Sequence, residues 1–170
     1  MDRDTVHEAW ERDRIAFHAL IAHATEEDLR RRSRGTKWTN RQLLFHLLLG
    51  YQVVRALRPL VQVVGRLPRP VGRAFARGLN AATTPFDTIN YLGSCGGGLI
   101  GTRRMGRWLD HIVARLHRSL DRATDADLAR GMHYPTRWDP FFTDYMSLAD
   151  IYAFPAQHFA FHQRQLTLNS

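Results

Sequence analysis

One cysteine, Cys95, and one lysine, Lys37, are all that a chain of 170 residues has of either. A single thiol excludes an internal disulfide framework and any CxxC metal or redox motif. With so little lysine, the net charge of +8 is almost wholly arginine, and such a skew by itself names no partner. The longest apolar patch, Leu43 to Val54, is too short and interrupted to span a bilayer, and the charged start Met1-Asp2-Arg3-Asp4 has no apolar signal core. A cytoplasmic protein without membrane attachment is therefore expected. No stretch carries a strand signal. Ser-His-Asp and Cys-His constellations are missing, as are the ExxH pairs of a di-iron carboxylate bundle. What remains, 44% apolar residues with no low-complexity segment, suits one core and a single domain over residues 1–170.

The apolar residues recur near the helical period of 3.6 in four stretches. Val6, Trp10, Phe17, Leu20 and Ile21 mark a first helix from Thr5 to Ala24. Thr39-Asn40-Arg41-Gln42 has the T-x-x-Q form of a capping box, so a second helix starts at Asn40 and either ends before Pro59 or passes it with a kink. A third runs from Thr102 to about Ala123, and a fourth follows Ser147, with Asp150 completing its cap and Pro155 expected to kink it. Residues Gly65 to Gly101 form a long connection with three of the seven prolines and one short Arg-rich helix around Val71 to Leu79. Arg66, Arg69, Arg73 and Arg77 would line one face of that helix, but without aromatic interleaving or a nucleic-acid motif they read as a solvated face, and a nucleic-acid or anionic-surface binder is the third-ranked class.

Three histidines stand on inward stripes. His158 and His162 are four residues apart, one turn above the other on one helix face, where both imidazoles reach a single ion. His46 lies on the buried face of helix two, with Gly50 one turn below it. Each lies a comparable distance from a helix end, so His46 and His162 meet only if helices two and four run antiparallel. Short connectors then make helices two and three parallel, and the 65–101 segment supplies the crossover. The expectation is an all-α, up-down-down-up four-helix bundle. Asp13 and Tyr152 are the nearest acid or base candidates; for Asp13 a pairing with arginine is the preferred role.

Trp38-Thr39-Asn40-Arg41-Gln42-Leu43-Leu44-Phe45-His46-Leu47, together with His158-Phe159-Ala160-Phe161-His162 and Gln165, resembles the DinB-like metal-binding four-helix bundle superfamily. The resemblance covers essentially the whole chain and departs from the family form by one position in the spacing that follows Trp38-Thr39. It implies a divalent metal, commonly zinc or nickel, on His46, His158 and His162. It also implies kinship with thiol-dependent transferases and isomerases that use mycothiol, bacillithiol or glutathione, and a role in detoxification or stress response; many relatives have no known activity, which keeps a non-catalytic metal-binding bundle as the alternative. A homodimer is expected because small bundles of this kind often pair. Arg103 and Arg104, in the first turn of helix three behind Gly96-Gly97-Gly98, are candidates for holding a carboxylate or phosphate of the thiol close to His46, with Trp138 or Tyr134 of the loop 133–140 covering it.

Overall fold

Reciprocal capping boxes start four of the helices. In a computed structural model that describes residues 2–168, Thr25 pairs with Asp28 at α2 (Glu26–Arg30), Thr39 with Gln42 at α3 (Asn40–Val64), Thr124 with Asp127 at α7 (Asp125–Ala129), and Ser147 with Asp150 at α8 (Leu148–Gln163). Each box satisfies two backbone donors that a helix start leaves open, and such a cap is typically worth about 1 kcal/mol. Asp2 caps α1 (Arg3–His23) by accepting from the Asp4 amide. The remaining helices are α4 (Arg69–Ala81), α5 (Thr83–Cys95) and α6 (Thr102–Asp121), with a 3₁₀ turn over Gly96–Leu99. Met1, Asn169 and Ser170, which the single-domain expectation includes, lie outside the described residues.

The long helices α1, α3, α6 and α8 share one core: α3 packs on α8 and α6, and α1 packs on α6 and α8. Trp10, Phe17, Leu43, Leu47, Tyr51, Met105, Tyr152 and Phe159 are buried in it. Residue pairs give the directions. His46 faces His162 while Gly50 faces His158, so α3 and α8 are antiparallel. His7 touches His117 while Arg14 and His18 reach Asp110, so α1 and α6 are antiparallel as well.

Two expectations are corrected here. The 65–101 connection is mostly helical: α4 is longer than the Val71 to Leu79 estimate, and α5 was not anticipated. Two short strands exist, β1 (Gly131–His133) and β2 (Tyr145–Ser147), paired antiparallel with Met132 opposite Met146. They clamp the base of the 134–144 loop against the start of α8, and close approach is built in, because a Cβ at Gly131 would stand 2.6 Å from the Met146 carbonyl oxygen. Of the two courses expected at Pro59, α3 takes the one past it and reaches Val64, which makes it long and apolar enough by itself to cross a bilayer, unlike the 43–54 patch alone. Its buried residues, from Leu43 to Val64, are instead covered by neighbouring helices.

Candidate metal centre

Antiparallel packing of α3 on α8 brings the three histidines together. Their ring centroids lie 4.9 Å apart for His46 and His158, 4.7 Å for His46 and His162, and 4.5 Å for His158 and His162. One ring nitrogen from each falls within 4.8 Å of the other two. The separation of 3.1 Å between Nε2 of His46 and Nε2 of His158 is close to the roughly 3.3 Å that a tetrahedral ion imposes on two nitrogens bonded at about 2.0–2.1 Å.

Neighbouring groups set the tautomers. The Ser94 hydroxyl donates to the Asn90 carbonyl at 2.8 Å, so its oxygen is left to accept from Nδ1–H of His46 at 3.1 Å. His46 therefore keeps Nε2 bare. Oε1 of Gln165 accepts from Nδ1–H of His162 at 2.7 Å, which bares Nε2 there too. This is the outer support that metal-bound histidines need, since a fixed second nitrogen fixes the first. His158 has no such partner: its Nδ1 is buried and unbonded over Gly50. With the proton on Nδ1 of His158 that N–H has no acceptor, at a cost of about 1–3 kcal/mol; with the proton on Nε2 it can donate to the bare Nε2 of His46 at 3.1 Å, and Nδ1 is left without a donor. A cation accepting the Nε2 lone pairs suits the Nδ1–H form. The donor set of three neutral imidazoles thus fits a borderline divalent ion such as zinc or nickel.

Burial keeps the cluster neutral. It lowers the pKa of His46 to about 3, helped by the charge of His162, and drives His158 well down; burial lowers His162 too, against a hydrogen bond from Gln165 that raises it. The unfolded chain consequently binds more protons than the folded one below about 6.5. The stabilising effect of keeping them neutral is complete above that pH and is lost as pH falls toward the folded values, by up to about 1.4 kcal/mol per pH unit for each deeply buried histidine. Asp13 and Asp139, each raised by burial from 3.8 to about 6, act in the opposite sense between those values; two against three, they blunt the loss without reversing it. The melting temperature of metal-free protein is expected to decline steadily from pH 7 to pH 5. A constant or rising value over that interval contradicts a buried neutral cluster.

The histidines form one wall of a cavity of about 400 Å³ whose other walls are largely apolar. Leu49, Val53 and Leu57 come from α3, Phe154 and Phe161 from α8, Phe86 from α5, and Trp138, Asp139 and Phe142 from the loop between the strands. Trp138 is pinned in place, stacked on Phe86 with centroids 4.1 Å apart and donating from Nε1 to the Leu79 carbonyl at 2.9 Å. Trp38 stacks on His46 at 4.5 Å. A smaller, more polar hollow of about 370 Å³ shares Trp38, Asn90 and His162 with this cavity and contains Lys37, Thr36 and Gln165.

Of the residues singled out from sequence, His46, His158, His162 and Trp138 meet at the cavity. Arg103 and Arg104 do not line it: they project outward from the first turn of α6, while Met105 and Gly106 take the inward positions. Of the glycines before them, Gly97 is packed and unavailable, buried where a Cβ would stand 2.8 Å from Cγ of Phe45, while Gly96 and Gly98 face open space. Asp13 accepts from the Tyr51 hydroxyl at 2.7 Å, with neither an arginine salt bridge nor a ligand histidine as its partner, and the Tyr152 hydroxyl bonds to Ser119 at 2.7 Å. The acid in the cavity is Asp139. One of its oxygens accepts from the Phe141 amide at 2.8 Å and the other has no hydrogen-bond partner among the described residues. Nothing in the local sequence marks it, since a Trp-Asp-Pro turn reads as an ordinary Asx turn and its burial comes from α5 and α8.

No curated protein and no solved structure matches the chain. The family model of the DinB superfamily does match, over residues 9–166, a span that takes in α3, α8 and all three histidines, and the chain accordingly belongs to the DinB superfamily.

Proposed function

We propose that the protein holds one divalent ion on neutral His46, His158 and His162 and acts as a metal-dependent transferase or isomerase that joins a low-molecular-weight thiol to an apolar electrophile. The observation that carries this reading is the placement of three bare-nitrogen imidazoles and one carboxyl of raised pKa on the wall of a single apolar cavity. A zinc or nickel ion there supplies Lewis acidity, lowering the pKa of a thiol or polarising a carbonyl. The protein supplies the rest. Phe86, Trp138, Phe154 and Phe161 exclude water and take the apolar reactant. The hollow with Lys37 offers the hydrophilic body of the thiol a cation and polar side chains, and it shares His162 with the cavity. Asp139, raised by burial to about 6, takes the thiol proton and passes it to the oxygen of an opened epoxide, or to solvent when a halide leaves, the pKa suiting exchange near neutral pH. The cytoplasm, where small thiols stay reduced, is the compartment this chemistry requires.

A metal-binding bundle without turnover is the second reading, favoured by the deep burial of His46 and His158, which are 6% and 4% exposed. Turnover separates the two. Metal-loaded protein is assayed with mycothiol, bacillithiol and glutathione against a panel of apolar epoxides and alkyl halides, beside Asp139→Asn. One thiol is expected to be consumed, and the variant is expected to lose about 10²-fold in kcat with metal content unchanged. Failure of every thiol leaves the second reading; an Asp139→Asn enzyme of full activity removes the proposed role of that carboxyl.

A further inference from the structure

On another face of α3 lies a groove shared with α6, about 530 Å³ in volume, lined by Arg55 and Arg58 of α3, by Arg115 and Arg118 of α6, and by Arg122 just past its end. The spacings explain the convergence. Positions 55, 58 and 62 on one helix and 115, 118, 119 and 122 on the other fall at i, i+3, i+4 and i+7, so each set forms a stripe, and the two stripes look onto one groove.

No aspartate or glutamate lines this groove. Some arginines elsewhere have acidic partners, among them Arg3 with Asp125, Arg14 with Glu11 and Asp110, Arg41 with Glu26, and Arg130 with Asp127. Among the described residues none of the five groove arginines is in an ion pair. Arg55 reaches only Gln52, at 3.2 Å. Asp127 feels the charge of Arg58, but its carboxylate is bonded to Thr124 and paired with Arg130, and it lies outside the lining. Most telling, Nε of Arg58 is buried without any hydrogen-bond partner. A guanidinium N–H taken from water and given no acceptor is unfavourable unless something else supplies one.

We infer that this groove is a binding site for a small organic polyanion carrying at least two phosphate groups. Five guanidinium groups in two facing rows offer more paired N–H donors than the oxygens of one phosphate can accept, and planar bidentate geometry suits phosphate in particular. Gln62 in one row and Ser119 in the other add neutral polar groups to the lining. The lining has no aromatic side chain on which a base could stack, which separates it from single-strand nucleic-acid channels, where stacking and a basic track go together. Val54 and Arg58 line the groove while Val53 and Leu57, their neighbours on α3, line the histidine cavity, so the two sites sit on two faces of one helix. This inference does not depend on the metal.

The test is calorimetric titration of pyrophosphate, inorganic phosphate and sulfate into the full chain at low and at moderate salt. Pyrophosphate is expected to bind once per chain, at least tenfold more tightly than phosphate or sulfate, and to weaken as salt rises. Arg118→Ala, an exposed position, and Arg58→Gln should each weaken it at least tenfold, with circular dichroism melting to confirm folding; if Arg58→Gln fails to fold, Arg118→Ala with Arg115→Ala decides. Arg103→Ala, outside the groove, should leave binding unchanged. Equal loss in Arg103→Ala, or pyrophosphate no better than sulfate, would show diffuse surface charge and overturn the site. Tighter binding of a ten-nucleotide single strand, lost in the same variants, would overturn the ligand class.

Discussion

Replacing His158 and His162 together by alanine is expected to take metal content from one ion per chain to none. Two of the three nitrogens that converge within 4.8 Å disappear, and His46 alone cannot hold an ion against water. A milder variant grades the effect: Ser94→Ala removes the acceptor of Nδ1–H of His46 and should cost 10–100-fold in affinity, the usual size for a lost outer hydrogen bond. Stability follows occupancy. At a free metal concentration about 1,000 times Kd, binding adds about 4 kcal/mol, and at about 2–4 °C per kcal/mol for a chain of this size a chelator should visibly lower the melting temperature of the parent protein. It should do nothing to the double variant. Metal analysis and calorimetry of both proteins, with and without chelator, check this, and one ion per chain retained by the double variant would end the three-histidine assignment.

Gly50→Ala should damage both fold and site although it adds one methyl group. A Cβ at Gly50 would overlap Nδ1 of His158 and stand 2.9 Å from its Cε1, and that ring sits at 4% exposure between α3 and α8. The ring can move only toward the cavity that it lines, away from its place beside His46 and His162. Either the helices separate or the ring leaves its position among the ligands. Overpacking of this kind costs about 1–3 kcal/mol, and the displaced imidazole should lower metal affinity at least tenfold. Melting curves and metal titration of Gly50→Ala test the two effects together. A variant with parental stability and affinity would mean that the contact between α3 and α8 is looser than the structure has it.

That dependence explains which parts of the molecule are legible in sequence. The helix starts at Asn40 and Leu148 are local events, written in the capping boxes of Thr39 with Gln42 and Ser147 with Asp150, and they can be read without knowing the fold. His158 and His162 are likewise fixed by helical spacing, and His46 by its place on an inward stripe. The close packing that makes Gly50 obligatory is only half visible, as a small residue next to a ligand. The ends of α4 and the whole of α5 escape notice because the partners of these helices are few. Only Gly72 and Ala76 of α4 and Ser94 of α5 are buried, neither helix has a side-chain cap, and Pro85 in the first turn of α5 resembles loop punctuation. Strands of three residues are too short for a period of two to emerge. The arginine groove is similarly hidden: its two stripes lie in different helices, and only their packing shows that they share a space. Asp139 is the extreme case, since its chemistry comes entirely from what covers it.

The ligands lie 112 residues apart along the chain, His46 on one side of the contact and His158 on the other, and this separation has a consequence during synthesis. At about 5–20 residues per second, the ribosome adds His158 roughly 6–22 seconds after His46. Throughout that interval α3, the one helix among the described residues long and apolar enough to cross a bilayer, is without α8, the helix that packs on it most extensively. The nascent chain therefore has to shelter the face that ends at His46 by other means, through α6 once it emerges or through a chaperone. Until then His46 is a lone imidazole, and the cluster of three ring nitrogens exists only after the second half of the molecule has been made.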